Sequence, residues 1–282
     1  MSHTDTLYQE VTVNRNDLEG RWALILGASS GFGAATARAL ARAGMNIFGV
    51  HLDPRATIQR AQQVVTDVEA SGRQAVFFNT NAADPRKRAG VLDQIAQVLA
   101  HRNEPYPVIH LMLHSLAFGA LGSLVADPTD GGISEAQIEM TLRVMAHSLV
   151  YWVRELVERE LLGRGSRVYA LSSTGAIRVA PMYGAVSAAK AALESHARQL
   201  ALELGEQGIA INCLRPGVTD TPALRAIPGH EPYVAKARAI NPGGRLTTPE
   251  DVANVLTALA DPNITWISGA VIPVDGGESI VG

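Results

Sequence analysis

The chain has 282 residues, of which 47% are hydrophobic and 18% are charged, so it can bury one large core in a single domain. The formal net charge is −3 and no basic block occurs, which gives no electrostatic support for binding nucleic acid or an anionic membrane. The single cysteine, Cys213, excludes an internal disulfide and suits a reducing cytoplasm. Since the sequence has no His/Cys cluster either, we expect no metal site.

The first 19 residues are polar and lack the basic-then-apolar order of a signal peptide. They predict an N-terminal extension, followed by one domain over residues 20–282. No run of about 18 apolar residues occurs, so we expect no membrane span and a cytoplasmic location.

Short apolar runs then alternate with Ala-rich helical patterns. The predicted strands are residues 22–26, 46–50, 75–78, 108–113, 167–171 and 209–214, and the predicted helices are 34–43, 57–70, 85–101, 136–162 and 183–205. Continuous apolar strands between helices are typical of a parallel sheet covered on both faces. The predicted fold class is therefore α/β, a single-domain, Rossmann-like, doubly wound parallel sheet with helices on both faces. Its ligand should lie beyond the carboxyl ends of the strands.

Residues 216–247 interrupt this alternation. They show little sheet character and contain five prolines, which are Pro216, Pro222, Pro228, Pro232 and Pro242. A long loop in a compact domain is usually a lid or a binding loop, so we predict a substrate-binding lid here.

A glycine-rich turn, GASSGFG, follows the first strand and precedes a helix. Glycines allow the tight turn and the close backbone approach that a pyrophosphate needs, and the helix start offers free N–H groups. The residues predicted to bind a dinucleotide here are Gly27, Ser29, Ser30, Gly31, Phe32 and Gly33.

Tyr183 and Lys190 lie seven residues apart on a predicted helix. They are thus two turns apart and offset by about 20° around the axis, so both can reach one site. A nearby ammonium should lower the tyrosine pKa from about 10, which suits reduction of a carbonyl or a conjugated double bond. Many solvated helices carry the same spacing, so the other motifs decide its meaning.

Four motifs together resemble the short-chain dehydrogenase/reductase family over residues 20–282. They are GASSGFG, the LSS of residues 171–173 with Tyr183 and Lys190, RPGVTDT at 215–221, and VDGG at 274–277. The resemblance implies an NAD(H) or NADP(H) cofactor, hydride transfer and a homotetramer built partly on the long helices.

The tyrosine–lysine spacing resembles a divergent branch of that family. The commoner spacing is four residues, but position 187 holds Ser187. The longer interval, and the HSLAF that begins at His114 and Ser115, resemble enoyl-acyl-carrier-protein reductases of fatty acid synthesis. That branch implies cofactor contacts from His114 and Ser115, a lysine bound to the nicotinamide ribose, and a tyrosine at the thioester carbonyl as enolate charge develops.

Two positions depart from the branch. Ser173 lies seventeen residues before Lys190, which matches the family's ordinary serine-to-lysine interval, so only the tyrosine is displaced. Many enoyl reductases carry a second tyrosine there. Ser173 therefore leaves ketone reduction open, or it simply caps a turn. The family's relay asparagine aligns with Met145, which cannot relay a proton and is better suited to the core.

The end of the second strand bears on the choice of cofactor. NAD enzymes place an acid there and NADP enzymes a basic residue. His51 occupies the usual acidic position, and Asp53 and Arg55 follow. We favour NADP(H) over NAD(H), with Arg55 meeting the 2′-phosphate; the alternative is a solvated residue at the helix start. Asn81 is expected either to bind the adenine or to form a turn.

The turn at Pro216 and Gly217 should hold the nicotinamide end of the cofactor. The resemblance implies that Thr221, and the backbone of Thr219, bond the carboxamide or the pyrophosphate. Either threonine could instead cap the next helix.

The sequence thus predicts an NAD(P)H-dependent oxidoreductase that reduces the C=C bond of an enoyl thioester, with an acyl carrier protein as a candidate partner. Its catalytic residues would be Tyr183, Lys190 and Ser173. The nearest alternative is an NADP-dependent reductase of 3-oxoacyl or other carbonyl substrates. A non-catalytic nucleotide sensor or scaffold is the alternative from another class, and the intact tyrosine–lysine pair argues against it.

Overall fold

The computed structural model describes residues 15–101, 108–125, 131–227 and 229–281. In these residues a seven-stranded sheet has the order β3-β2-β1-β4-β5-β6-β7, and all neighbouring strands are parallel. The strands are β1 (Trp22–Leu26), β2 (Asn46–His51), β3 (Ala75–Asn79), β4 (Ile109–His114), β5 (Arg167–Leu171), β6 (Ala210–Pro216) and β7 (Val271–Val274). The predicted doubly wound Rossmann-like fold is confirmed.

Helices connect these strands and cover both faces. Those in the described residues are α1 (Gly31–Arg42), α2 (Ile58–Ala70), α3 (Pro85–His101), α4 (Glu135–Leu142), α5 (Ser148–Glu158), α6 (Gly184–Leu204), α7 (Pro222–Arg225), α8 (Glu231–Ile240) and α9 (Pro249–Leu259). Strand order turns back between β1 and β4, and ligands of doubly wound sheets bind at that point.

The core has one layer on each face of the sheet, because side chains alternate along a strand. In β1, Trp22 and Leu24 belong to the layer formed with α3, α5 and α6. Ala23 and Ile25 belong to the layer formed with α1, α2 and α9. The Trp22 ring stacks on Phe48 of β2, with ring centroids 4.0 Å apart. Burial on both faces explains why these strands read as continuous apolar runs.

Several elements differ from the sequence prediction. The helix predicted over residues 136–162 is divided by a π-helical turn, Arg143–His147, between α4 and α5. Residues 216–247 contain the short helices α7 and α8. Helix α9 and strand β7 were not predicted; β7 is a four-residue edge strand that contains Pro273, and proline is tolerated at an edge.

Residues 1–14 of the predicted extension lie outside the described residues. Arg15–Leu18 form a 3₁₀ helix, and Leu18 is buried in the layer formed with α1 and α2. Glu19 forms an ion pair with Arg73. In the described residues, no helix is long and apolar enough to cross a membrane.

Candidate active site

The glycine-rich turn packs so closely that side chains are excluded at two of its positions. Gly27 has φ +90°, and a Cβ there would lie 2.5 Å from the carbonyl oxygen of Ser115. A Cβ on Gly33 would lie 2.0 Å from the carbonyl oxygen of Gly27. Ser30 is the N-cap of α1, yet its side chain makes no capping hydrogen bond. The helix therefore presents its first N–H groups to an anion.

Asp53 lies beside this turn, at the end of β2. Its carboxylate accepts a hydrogen bond from Thr57 at 2.7 Å and lies 2.9 Å from Nδ1 of His51. Burial raises the pKa of Asp53, but hydrogen bonds from Thr57, Ser29 and His51 outweigh burial and hold the pKa below its usual value. Asn79 of β3 fixes the Asp53 backbone through two hydrogen bonds. Asp53 is therefore an ionised carboxylate bonded to the glycine turn.

The other predicted adenosine contacts face solvent. Arg55 is exposed at the entry to α2. Asn81 is also exposed, and its Oδ1 accepts a hydrogen bond from the Ala83 N–H at 2.9 Å. The turn expected as the alternative for Asn81 is thus formed, and its amide nitrogen still faces outward.

His114 and Ser115 end β4 under the glycine turn. The Ser115 N–H bonds the Leu26 carbonyl at 2.9 Å. The His114 ring is fully buried, and its Nε2 lies 2.7 Å from Oγ of Ser148, which donates to the Val144 carbonyl. Burial, followed by the Lys190 charge, lowers the His114 pKa to about 3. Its imidazole is therefore neutral.

The Pro-Gly turn after β6 faces the glycine-rich turn. A Cβ on Gly31 would lie 3.7 Å from Cγ2 of Thr221. The Thr221 hydroxyl accepts a hydrogen bond from the Leu224 N–H and caps α7. Thr219 is buried, and its hydroxyl donates to the Gly217 carbonyl at 2.9 Å. The capping alternative for Thr221 is thus observed, and the two turns flank one groove.

Tyr183 is the N-cap residue of α6, and the preceding loop fixes its position. Met182 adopts the left-handed conformation with φ 61°, and its carbonyl accepts a hydrogen bond from the Gly122 N–H at 2.8 Å. The tyrosine ring packs on Gly175, where a Cβ would lie 2.6 Å from Cε1. Ser173 caps the 3₁₀ turn at Gly175 and also hydrogen-bonds the Tyr183 side chain. The turn-cap alternative for Ser173 is thus observed, and the same hydroxyl acts on the Tyr183 side chain.

The expectation that Lys190 lowers the Tyr183 pKa is wrong. Burial raises the Tyr183 pKa above its usual value, and the hydrogen bond from Ser173 provides the opposing effect. The Lys190 ammonium instead donates to the Leu171 carbonyl at 2.7 Å. Tyr183 is therefore a neutral hydroxyl at physiological pH.

Lys190 is almost completely buried and belongs to the inner face of α6. Burial lowers its pKa to about 8, although the Glu194 carboxylate acts in the opposite direction. Residues 190 and 194 are one helical turn apart, which brings their side chains onto the same face. Lys190 thus remains mainly charged near neutral pH.

Sequence reasoning missed the ion pair behind this lysine. Glu194 accepts two hydrogen bonds from Nη2 of Arg215, at 2.8 and 3.0 Å, and one from the Ser172 hydroxyl. Both charged side chains are largely buried. The signal was present in the sequence, since Glu194 follows Lys190 at the i+4 position and Arg215 opens the RPGVTDT motif. Met145 lies buried in the π-helical turn, in accordance with the predicted core role.

A nicotinamide dinucleotide fits this set of residues. The glycine-rich turn leaves space for a backbone-bound pyrophosphate, Asp53 and Asn81 follow β2 and β3, and Tyr183 and Lys190 follow β5. Because the sheet is parallel, all of these residues lie beyond the carboxyl ends of its strands, where doubly wound folds bind nucleotides.

Comparisons with known proteins agree with this arrangement. The family model described as enoyl-(acyl carrier protein) reductase matches residues 27–279. A chloroplastic NADPH-dependent aldehyde reductase-like protein of Arabidopsis thaliana is 28% identical over 270 residues, which cover 92% of this chain and 94% of the relative.

Solved structures share the fold over nearly the whole chain. A short-chain dehydrogenase of Burkholderia cenocepacia in complex with NADP superposes with a TM-score of 0.80 at 28% identity, covering 94% of this chain and 100% of that chain. The enoyl-[acyl-carrier-protein] reductase (NADH) of Aquifex aeolicus gives a TM-score of 0.77 at 25% identity, covering 94% and 98%. The chain belongs to the short-chain dehydrogenase/reductase family and is an NAD(P)-dependent oxidoreductase.

Proposed function

We propose that this oxidoreductase reduces the C=C bond of an α,β-unsaturated acyl thioester, with Tyr183, Ser173 and Lys190 as catalytic residues. The observation that carries the proposal is the position of Tyr183 at the start of α6, seven residues before Lys190. The residue four before Lys190 is Val186, which is buried in the core. This supports Tyr183 as the source of the reacting hydroxyl.

The surroundings of Tyr183 support an apolar acyl substrate. Large exposed apolar side chains lie on the two loops that reach α6: Phe118 is 69% exposed, Leu124 57%, Ile177 61% and Val179 97%. Leu124 packs directly over Gly184, where a Cβ would lie 2.7 Å from Cδ1. Exposed apolar clusters at a groove are typical of ligand-binding surfaces.

The chain's residues would act mainly on the thioester carbonyl. The reduced nicotinamide supplies the hydride. Tyr183, neutral because burial raises its pKa, would donate its hydroxyl proton to the carbonyl oxygen as enolate charge develops there. The Ser173 hydroxyl would orient that phenol through their hydrogen bond. Lys190 would hold the nicotinamide ribose, with its ammonium positioned by the Leu171 carbonyl.

For the cofactor, we favour NADP(H) over NAD(H). The NADP complex of the Burkholderia relative and the name of the Arabidopsis relative support this choice. Arg55 is exposed beside the adenosine end and available to a 2′-phosphate, while hydrogen bonds already occupy the Asp53 carboxylate. Dissociation constants of NADPH and NADH, measured by fluorescence, test this choice. Tighter binding of NADH would reverse it and assign Asp53 to the ribose hydroxyls.

Reduction of a 3-oxoacyl or other carbonyl group is the second candidate. Ser173 favours it, because a serine hydroxyl beside the tyrosine can hold a ketone oxygen, and the Arabidopsis relative is an aldehyde reductase by name. The decisive experiment supplies NADPH or NADH with crotonyl-CoA and, separately, acetoacetyl-CoA, and follows the loss of reduced-nicotinamide absorbance.

Oxidation with crotonyl-CoA supports the enoyl proposal. Oxidation only with acetoacetyl-CoA would replace it with carbonyl reduction. Tight NADPH binding without turnover of either substrate class would favour a nucleotide sensor. If thioesters bound to acyl carrier protein react faster than the CoA thioesters, the carrier protein is a partner.

We further propose a homotetramer, as the family resemblance implies. Leu202 near the end of α6 is 77% exposed and Trp266 before β7 is 98% exposed, so apolar side chains remain to be covered on this side of the fold. Light scattering after size-exclusion chromatography measures the assembly, and a monomer would contradict the proposal.

A further inference from the structure

A buried carboxylate from the C-terminal segment (residues 275–280) holds the Pro-Gly turn. Oε2 of Glu278 accepts a hydrogen bond from the Val218 N–H at 3.0 Å. Glu278 is only 5% exposed. Because β6 and β7 are parallel, the segment that follows β7 lies at the same edge of the sheet as the active site.

The fit between Glu278 and this turn is close. A Cβ on Gly217 would lie 2.9 Å from Oε2 of Glu278 and 2.5 Å from Oγ1 of Thr247. The Gly217 N–H also bonds the Val274 carbonyl at 3.1 Å. The backbone of the turn is thus fixed by β7 at Gly217 and by the Glu278 side chain at Val218, while Thr219 forms an isolated β-bridge with Thr247.

Burying this carboxylate has an electrostatic cost. Burial, together with the Asp275 charge, raises the Glu278 pKa, whereas the Val218 N–H and Arg178 oppose the rise. Within the described part of the chain, no cation lies within ion-pair distance of Glu278. An unpaired buried carboxylate is unfavourable for stability alone, which points to a role for the contact it makes.

The same segment reaches the other loops around the groove. Arg178, between Ser173 and Tyr183, donates to the Ser279 carbonyl at 3.1 Å. Asn241, which follows α8 of the predicted lid, donates from Nδ2 to the Asp275 carbonyl at 2.8 Å. The C-terminal segment therefore contacts the Pro-Gly turn, the tyrosine loop and the lid.

We propose that Glu278 is a positioning residue for the nicotinamide end of the cofactor. Its hydrogen bond sets the direction of the Val218–Thr219 backbone, and through it the groups that would meet the carboxamide. The adenosine end is held separately, by the glycine-rich turn and the end of β2. This inference rests on the proposed placement of nicotinamide beside Thr219.

The test compares a whole cofactor with a fragment that lacks nicotinamide. Dissociation constants are measured for NADPH and 2′-phospho-ADP-ribose, or for NADH and ADP-ribose if the wild type prefers NADH. Glu278→Ala should weaken binding of the whole dinucleotide about tenfold and leave fragment affinity unchanged, because only the nicotinamide end loses its support.

Conservative variants distinguish the effect of side-chain length at position 278 from the effect of its charge. Glu278→Gln keeps an oxygen at the Val218 N–H and should bind the dinucleotide within about threefold of wild type. Glu278→Asp keeps the charge but draws it back by one bond, so it should behave like Glu278→Ala. Glu69→Ala, an exposed glutamate on α2, is the matched control and should change neither constant. The Asp and Gln pair carries the test if Glu278→Ala does not fold.

Unchanged dinucleotide affinity in Glu278→Asp, or equal weakening of dinucleotide and fragment, would overturn the inference. If the wild-type protein binds neither molecule, the proposed function fails, and this inference fails with it. Wild-type binding of both, with equal constants in every variant, would overturn only the role of Glu278.

Discussion

The glycine-rich turn and the tyrosine–lysine pair lie at the same edge of the sheet but are built in opposite ways. At Gly27 and Gly33 the site depends on missing side chains, because a Cβ would collide with backbone atoms. At Tyr183 and Lys190 it depends on side chains that are buried and individually bonded. The backbone of the glycine-rich turn thus tolerates almost no added atom, whereas the protonation of Tyr183 and Lys190 depends on the packing and hydrogen-bond partners of their side chains.

Removing the tyrosine hydroxyl should have the largest effect on turnover. It should also show that the tyrosine acts in the reaction and not in cofactor binding. Tyr183→Phe keeps the ring on Gly175, so turnover should fall about a thousandfold while the cofactor dissociation constant stays near the wild-type value. Steady-state kinetics and fluorescence titration measure the two quantities. Lys190→Ala is the comparison and should weaken both. A fully active Tyr183→Phe would contradict the catalytic role.

Adding one methyl group to the glycine-rich turn should give the next largest effect, a loss of cofactor affinity. The Cβ of Gly33→Ala would lie 2.0 Å from the Gly27 carbonyl oxygen, so cofactor affinity should fall by about a hundredfold. The control is Gly90→Ala in α3, where nothing lies within 4 Å of the new Cβ. That variant should gain about 0.5–1 kcal/mol of unfolding free energy from helix propensity, with unchanged affinity. Equal cofactor affinities in the two variants would contradict the requirement for glycine at position 33.

The same methyl addition beside the tyrosine should act on chemistry and not on cofactor binding. In Gly175→Ala the new Cβ would lie 2.6 Å from Cε1 of Tyr183 and displace the ring, so turnover should fall about tenfold. Cofactor affinity should stay constant. The double variant with Tyr183→Phe should be no slower than Tyr183→Phe alone, because both changes act on one hydroxyl. Additive losses would show that Gly175 acts elsewhere.

The smallest expected effect is a pH dependence of stability caused by the buried ammonium. Folding lowers the Lys190 pKa from 10.5 to about 8, so the unfolded chain binds more protons between these values and stability contributed by this group rises with pH there. Urea unfolding at several pH values should show that the free energy of unfolding of the wild type rises relative to that of Lys190→Met between pH 8 and 10. Lys236→Met, at an exposed position on α8, should show the same pH dependence of the unfolding free energy as the wild type. A pH-independent difference for Lys190→Met would contradict the assignment.

Much of the fold could be predicted because the strands are buried on both faces. Continuous apolar runs such as residues 22–26 have no helical period and no exposed face, so they identify parallel strands directly. The edge strand β7 was missed since four residues with a proline carry too little pattern. The π-helical turn at Arg143–His147 was missed for another reason: it changes hydrogen bonding without changing the apolar pattern.

The site was predictable only where chemistry is local. Ser173, Tyr183 and Lys190 follow from spacing along one loop and one helix. The direction of the Tyr183 pKa was predicted incorrectly, because it depends on burial by residues far apart in sequence and on where the lysine points. Glu278 was missed since its contact with Val218 joins residues sixty positions apart.

The amino-acid sequence was sufficient to predict the doubly wound sheet and to propose the dinucleotide-binding turn and the reactive side chains. Those properties depend on periodicity, on glycine and on the functional groups themselves, and all three are visible along the chain. The folded structure was needed to show that the Tyr183 hydroxyl is neutral, that Lys190 donates to the Leu171 carbonyl, and that the C-terminal segment contacts the Pro-Gly turn. Desolvation and hydrogen-bond partners depend on which distant segments meet, and only the folded chain brings those segments together.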